Sequence, residues 1–168
     1  SDVKSPADCY SDLDKATAYT TDDLMYRHWD HTVMEIPHTF VSGFSFNGSV
    51  TAASSKDILE GEKELYELPT EPFSGIEQLD WSPDGKFIAY SCRKVTGKKY
   101  AFSTDTEIYI YNVQSGETSV IDMKGGYDTD PVWSPDGKKL CWISMERDGY
   151  EADKQRLMVA YIKEEGNG

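Results

Sequence analysis

The chain contains few of the residues that a catalytic centre requires. It has three histidines, all at or before His38, and its 168 residues include no Gly-x-Ser-x-Gly motif, which marks the nucleophile turn of an α/β-hydrolase. Ser45 lies in the nearest similar stretch, but the glycines around it have the wrong spacing. We therefore expect no catalytic residue in this chain.

Metal and disulfide signals are equally scarce. Cys9, Cys92 and Cys141 are odd in number and have no ligand spacing, so they indicate neither a disulfide framework nor a zinc site. The histidines and Asp30 between His28 and His38 span an expected change from helix to strand, so we do not expect them to converge on a metal ion. The sequence predicts no metal and no cofactor.

Basic charge and long apolar runs are also lacking. The chain has 17 Lys and Arg against 30 Asp and Glu, a net charge of −13, and its basic residues are scattered, so nucleic acid is not an expected partner. No apolar run reaches the roughly 18 to 20 residues of a membrane span, and the first residues lack the pattern of a signal peptide. These features predict a soluble protein.

One short motif occurs twice. Trp-Ser-Pro-Asp-Gly-Lys begins at Trp81 and again at Trp133, 52 positions later. Proline presets the first corner of a turn and Asp-Gly tolerates the tight reversal, so each copy predicts two strands joined by a tight turn. A repeat of this length is typical of stacked supersecondary units, and the two tryptophans are expected to pack between those units.

Strand signals around the motif predict an all-β fold. Residues 76–81 and 87–92 flank the first turn, and further β-rich runs follow at 107–113 and 118–121, which gives four antiparallel strands per repeat. Four strands in roughly 50 residues are typical of a β-propeller blade rather than of helical repeats. Two unrelated hairpins in a β-sandwich are the alternative interpretation.

The expected architecture is a partial β-propeller of about three four-stranded antiparallel blades, with a short helical segment near the N-terminus at residues 20–30. Propellers close with about four to eight blades, so we expect a piece of a longer polypeptide whose exposed blade edges allow self-association. The expected divisions are an N-terminal segment and incomplete blade at 1–72, a blade at 73–125 and an incomplete blade at 126–168.

Longer strings carry a family resemblance. Residues 24–30 (Leu-Met-Tyr-Arg-His-Trp-Asp), 103–109 (Ser-Thr-Asp-Thr-Glu-Ile-Tyr) and 144–158 (Ser-Met-Glu-Arg-Asp-Gly-Tyr-Glu-Ala-Asp-Lys-Gln-Arg-Leu-Met) resemble the N-terminal propeller of bacterial prolyl oligopeptidase family serine peptidases, of the dipeptidyl-peptidase 5-like and acylaminoacyl-peptidase-like type. The resemblance implies a C-terminal α/β-hydrolase domain of the same polypeptide, absent here, short peptides as substrates, and a periplasmic or secreted parent protein. The propeller of such enzymes restricts access to short peptides.

The candidate site lies on long loops. Residues 93–106 and 145–154 each follow the second strand of a repeat, and alternating strands would place both loops on the face opposite the Ser-Pro-Asp-Gly turns. By the resemblance this face meets the hydrolase domain, where Glu146, Glu151 and Asp153 would hold the ammonium of a peptide N-terminus. The alternative is that these acids only pair with the nearby basic residues of their own loop.

Three functional hypotheses remain at this point. The first is the non-catalytic propeller part of a serine exopeptidase, dipeptidyl or acylaminoacyl, which gates and orients short peptides. The second is a binding or scaffold propeller of the periplasmic translocation-protein type, which shares the Ser-Pro-Asp-Gly turns but not the string at 145–157. A third is a native homodimer in which two copies close one ring.

Overall fold

The structure is a computed structural model that describes residues 35–70, 75–121 and 125–163, together with Tyr10, Lys15, Thr17, Arg27, His28 and residues 30–33. Its strands pair antiparallel into five sheets. The prediction of an all-β antiparallel fold is therefore confirmed for this part of the chain. No helix within these ranges is long and apolar enough to cross a bilayer.

Short two-stranded sheets form the first part of the described chain. The pairs are β1 (Arg27–His28) with β2 (His31–Thr32), β3 (Phe40–Val41) with β6 (Lys56–Asp57), and β4 (Phe44–Phe46) with β5 (Val50–Ala52).

The prediction of a helical segment at 20–30 is wrong for the residues of that segment that the structure describes. Arg27 and His28 form a strand instead, because the chain reverses at Asp30 and pairs Arg27 with Thr32. The other residues of that segment, 20–26 and 29, lie outside the described residues. Cys9 also lies outside them.

A four-stranded antiparallel sheet follows, with its strands side by side in chain order. A 3₁₀ turn at Ile76–Gln78 leads into it, and a second at Gly97–Ala101 lies in the loop between its second and third strands. The strands are β7 (Leu79–Trp81), β8 (Phe87–Cys92), β9 (Glu107–Asn112) and β10 (Thr118–Ile121). Four antiparallel strands in the first repeat were predicted and are confirmed.

A three-stranded antiparallel sheet completes the described chain. It consists of β11 (Tyr127–Trp133), β12 (Lys139–Met145) and β13 (Arg156–Tyr161), with β12 in the centre. The register between β11 and β12 breaks between Thr129 and Val132, where Asp130 has φ 54° and Pro131 follows. A bulge there allows a proline inside a strand, because the proline has no N–H to offer the ladder.

The two Ser-Pro-Asp-Gly turns have the same hydrogen bonds. Ser82 Oγ donates to Asp84 Oδ1 at 2.7 Å and accepts from the Phe87 N–H at 2.9 Å, while Lys86 N–H donates to the same carboxylate. Ser134 and Asp136 repeat the arrangement at 2.6 Å. Both predicted hairpins are confirmed.

The four-stranded sheet is buried on both faces. On one face lies a first core that it shares with the segment before it: Ile58, Leu59, Leu68, Ile88, Tyr90, Cys92 and Tyr111. On the other lies a second core that it shares with the three-stranded sheet: Ala89, Ile108, Trp133, Leu140 and Trp142. This double burial explains why β8 is a nearly continuous apolar run rather than an alternating one.

The two tryptophans of the repeat differ in their surroundings. Trp133 is 6% exposed in the second core and stacks on Phe87 with ring centroids 6.3 Å apart, as predicted. Trp81 is 50% exposed, so its predicted inter-sheet packing is wrong. Trp81 pairs with Ile88 and so shares its face of the sheet, but the first core on that face includes three buried residues of β8 and, from β7, only the partly buried Leu79.

Candidate functional site

Two long loops meet on one face of the stacked sheets. The loop between β8 and β9 and the loop between β12 and β13 are joined through Asp148, whose carboxylate accepts from Thr104 N–H at 2.7 Å and from Ser103 Oγ at 2.9 Å. Gly149 N–H donates a hydrogen bond to Thr104 Oγ1 at 2.9 Å. The prediction that these loops share a face is confirmed, and we call this set of bonds the loop latch.

Asp153 braces its own loop. Its carboxylate accepts from the N–H and Nε of Arg147 at 3.1 and 3.2 Å, from Arg147 Nη2 at 3.1 Å and from Lys154 N–H at 2.8 Å. These hydrogen bonds hold the pKa of Asp153 far below its ordinary value, and the side-chain hydrogen bond from Arg147 has the largest effect. The side chain of Asp153 is 7% exposed, and the Arg147 guanidinium lies over the Tyr150 ring at 4.1 Å.

Glu146 and Glu151 are more available. Glu146 accepts from Arg156 Nη2 at 2.9 Å, but its side chain is 74% exposed, and ion pairs in such positions hold their partners weakly. Glu151 is exposed, and no hydrogen bond or ion pair joins it to another residue within the described ranges. The three predicted acids thus lie on one loop, with Asp153 turned inward and Glu146 and Glu151 facing solvent.

Glu151 acts electrostatically on the start of the three-stranded sheet. Burial raises the pKa of Tyr127 above its ordinary value, and the charges of Asp130 and Glu151 raise it further. A hydrogen bond from Thr129 and the positive charge of Arg93 oppose this rise in the pKa. The loop that carries Glu151 therefore lies close enough to the first residues of β11 to act on Tyr127 electrostatically.

A buried ionic cluster, which the sequence did not reveal, anchors the other long loop. The Glu67 side chain is fully buried, Arg93 Nη2 lies 3.6 Å from its carboxylate, and Tyr100 donates a hydrogen bond to it. The Arg93 guanidinium also lies over the Tyr100 ring at 4.0 Å and donates to the Ser103 carbonyl at 3.3 Å. Because Glu67 is far in sequence from Arg93 and Tyr100 and the three residues form no motif, no local pattern could have indicated the cluster.

Asp128, which carries a second buried carboxylate, connects the two larger sheets through its backbone carbonyl. Its backbone carbonyl accepts from Ser91 Oγ at 2.5 Å and Thr106 Oγ1 at 2.7 Å, and Trp142 Nε1 donates to its carboxylate at 3.1 Å. Burial raises the pKa of Asp128 above its ordinary value. Asp80 makes a similar bridge by accepting from the Trp133 N–H at 2.7 Å.

Metal ligands do not converge in the described ranges, where no three His, Cys, Asp or Glu side chains are placed to hold an ion together. His38 Nδ1 instead lies 2.5 Å from Asp57 Oδ2. Cys92 is buried in the first core, which raises the pKa of its thiol to about 12.

These features define an all-β protein whose antiparallel sheets stack face to face along the chain and bring two long loops to one face. No protein-family model matches the chain. Curated proteins do match it: it is 54% identical over 158 residues to Dipeptidyl-peptidase 5 of Porphyromonas gingivalis, and 45% identical over 162 residues to that of Porphyromonas endodontalis. Each match covers 94% of this chain.

The relatives are much longer than the chain. It spans 22% and 23% of the length of the two Porphyromonas proteins. The Dipeptidyl-peptidase 5 of Aspergillus fumigatus is 30% identical over 161 residues, which is 86% of this chain and 22% of that protein. The chain is therefore homologous to one segment of the dipeptidyl-peptidase 5 proteins, and the resemblance seen in its sequence is confirmed.

Proposed function

We propose that this chain is a non-catalytic part of the β-propeller of a serine exopeptidase, where it gates access to the catalytic domain and orients short peptides. The observation that carries the proposal is the 54% identity to Dipeptidyl-peptidase 5 over 94% of the chain. In this proposal a C-terminal α/β-hydrolase domain supplies the catalytic residues, and the parent protein acts in the periplasm or outside the cell.

The stacking of the sheets supports the propeller part of the proposal. Ala89 of β8 is fully buried against the three-stranded sheet, and Cys141 is its equivalent one repeat later. Cys141 pairs with Val132 on one side and Val159 on the other, and both valines are about half exposed, at 52% and 50%. An apolar sheet face of this kind needs a further sheet against it, as a following blade would provide.

The acidic loop supports the orienting role. Glu151 is an exposed carboxylate with no partner in the described part of the chain, and Glu146 is held only by a weak surface pair. A peptide ammonium would gain charge-assisted hydrogen bonds from both carboxylates. Asp153 then serves the site by shaping the loop, because Arg147 already occupies its carboxylate.

The test uses the full-length polypeptide that carries this chain, with Glu151→Gln and Glu146→Gln variants. We expect kcat/KM for a fluorogenic dipeptidyl substrate with a free N-terminus to fall about 10- to 100-fold in Glu151→Gln, the range expected for one hydrogen bond to a charged group. Glu117→Gln is the matched control, since Glu117 is an exposed acid in the turn between β9 and β10, at the other end of the sheets.

Two results would contradict the proposal. Unchanged kinetics in both glutamate variants would leave the acids without a role in orienting the peptide. No hydrolysis of dipeptidyl or acylaminoacyl substrates by the full-length protein would favour a scaffold propeller instead.

A further inference from the structure

The loop latch connects two loops that are far apart in sequence. Asp148 lies 44 and 45 positions from Thr104 and Ser103, and its two carboxylate oxygens are 2.9 and 3.0 Å from Ser103 Oγ. Ser103 is only 2% exposed, so Asp148 reaches from an exposed loop into a buried partner. A contact of this kind fixes the relative position of the loops, because hydrogen bonds to a carboxylate are short and strong.

The inner end of the latch is rigidly held. Ser103 N–H donates to the Lys99 carbonyl at 3.0 Å, Ser103 Oγ accepts from Asp105 N–H at 3.2 Å, and the Ser103 carbonyl accepts from Arg93. Arg93 is in turn fixed by the buried carboxylate of Glu67. A continuous set of contacts thus runs from the core of the protein to Asp148.

The outer end of the latch carries the exposed acids. Asp148 lies between Glu146 and Glu151, inside the ring that the Arg147–Asp153 pair closes. That pair is internal to the loop, so it stiffens the ring without determining where the ring lies on the protein. The bonds from Asp148 and Gly149 to Ser103 and Thr104 do determine it.

Steric fit between the loops points the same way. Gly149 has φ +73°, and a Cβ at this position would lie 2.9 Å from the Phe102 carbonyl oxygen. The backbones of the two loops therefore approach closely, and a side chain at 149 would push them apart.

We infer that Asp148, with Ser103 and Thr104, is a positioning residue that holds Glu146 and Glu151 where they meet the substrate N-terminus, and so determines selectivity for peptides with a free amine. The inference rests on the proposed function. Asp148 itself does not touch the substrate in this scheme, because its carboxylate is occupied by the neighbouring loop. Breaking the latch is expected to weaken substrate binding more than it slows the chemical step.

The experiment measures KM and kcat of the full-length protein and of its Asp148→Asn, Ser103→Ala and Gly149→Ala variants. It also compares the inhibition of each by a dipeptide with the inhibition by the N-acetylated form of that dipeptide. We expect KM for a free-amine substrate to rise about 5- to 20-fold with kcat changed less than about twofold, since misplacing a binding group removes binding energy. Inhibition by the N-acetyl dipeptide should be unchanged. Hydrogen exchange in residues 146–153 should be faster in all three variants.

Asp136→Asn is the matched control. Asp136 accepts from Ser134 Oγ at 2.6 Å and from Lys138 N–H, so the substitution removes the same type of contact at the other end of the sheets. It should change neither KM nor exchange in the 146–153 loop.

The outcomes separate the two proposals. If Glu151→Gln raises KM while Asp148→Asn and Gly149→Ala do not, the latch inference is overturned and the amine site stands. If Glu151→Gln has no effect, the amine site is wrong and the latch has nothing to position. Faster loop exchange with unchanged KM, or an equal loss of free and N-acetylated dipeptide binding, also overturns the inference.

Discussion

Single residues bind the stacked sheets together, and Asp128 is the clearest case. Asp128 is only 1% exposed, and its carboxylate accepts a hydrogen bond from the indole N–H of Trp142. Its backbone carbonyl accepts hydrogen bonds from the hydroxyl groups of Ser91 and Thr106. Its pKa lies above the ordinary value because burial disfavours the charged form. The native state therefore binds more protons than the unfolded chain at pH values just above the ordinary pKa of 3.8.

The sign of the pH dependence follows from this difference. Where the native state binds more protons, the free energy of unfolding decreases as pH rises. We expect the stability of the wild type relative to Asp128→Asn to fall as pH rises from the ordinary pKa of 3.8 through the raised pKa of the folded state, because Asn has nearly the same shape and does not titrate. Urea unfolding midpoints at a series of pH values would measure it, and a difference that rises or stays flat would contradict the assignment.

At the scale of strands and turns, Gly126 determines how the three-stranded sheet meets its neighbour. It has φ +120°, and a Cβ there would lie 2.2 Å from the Met145 carbonyl oxygen, which is backbone and has no room to yield. Its own carbonyl accepts from Thr106 N–H at 3.2 Å, next to the bridge between Thr106 and Tyr127. The entry to β11 therefore depends on the absence of a side chain.

We expect Gly126→Ala to destabilise the protein by about 3 kcal/mol or more, as strain and a backbone clash add. Gly85→Ala separates the two effects, because Gly85 has φ +70° with open space around its Cβ position. It should lose only about 1 kcal/mol, the cost of a left-handed conformation. Thermal or urea unfolding of both variants is the measurement, and equal losses would show that the clash at Met145 is relieved.

Sequence and structure agree best where the determining contacts are local. Ser-Pro-Asp-Gly contains its own hydrogen-bond partners within five residues, so its hairpins were predictable. Trp81 shares that local context with Trp133, yet it is 50% exposed where Trp133 is 6% exposed, because burial depends on distant elements that the repeat does not encode. The loop latch and the buried pair of Glu67 and Arg93 join residues 26 to 45 positions apart, so no periodicity or motif indicated them.

For the molecule as a whole, we expect association between copies to depend on the outer face of the three-stranded sheet, the face that points away from the second core. Leu157, Val159 and Tyr161 on β13 are 71%, 50% and 76% exposed, and they lie beside Val132 on the same face. The chain carries a net charge of −13, which opposes association, but an apolar sheet face is a strong site for it.

We expect the 168-residue chain on its own to self-associate through this face. Val159→Lys should weaken the association at least about tenfold while leaving the fold intact, because one charged side chain would be desolvated in the contact. Met158→Lys is the control on the opposite side of the strand, where it packs against the second core, and it should unfold the chain instead. Sedimentation velocity with circular dichroism distinguishes these results, and unaltered association of Val159→Lys would place the contact elsewhere.

The Ser-Pro-Asp-Gly turns have a consequence for how such a chain can grow. Ser82 Oγ accepts from the Phe87 N–H, and Asp84 accepts from both the Ser82 hydroxyl and the Lys86 N–H, so these three donors find their acceptors inside the turn. A copy of this stretch placed elsewhere in the gene therefore brings the acceptors for these three donors with it. The turn at 134–139 has the same bonds in different surroundings. Duplication can therefore preserve these turns unchanged while the residues between them adapt to each position in the stack.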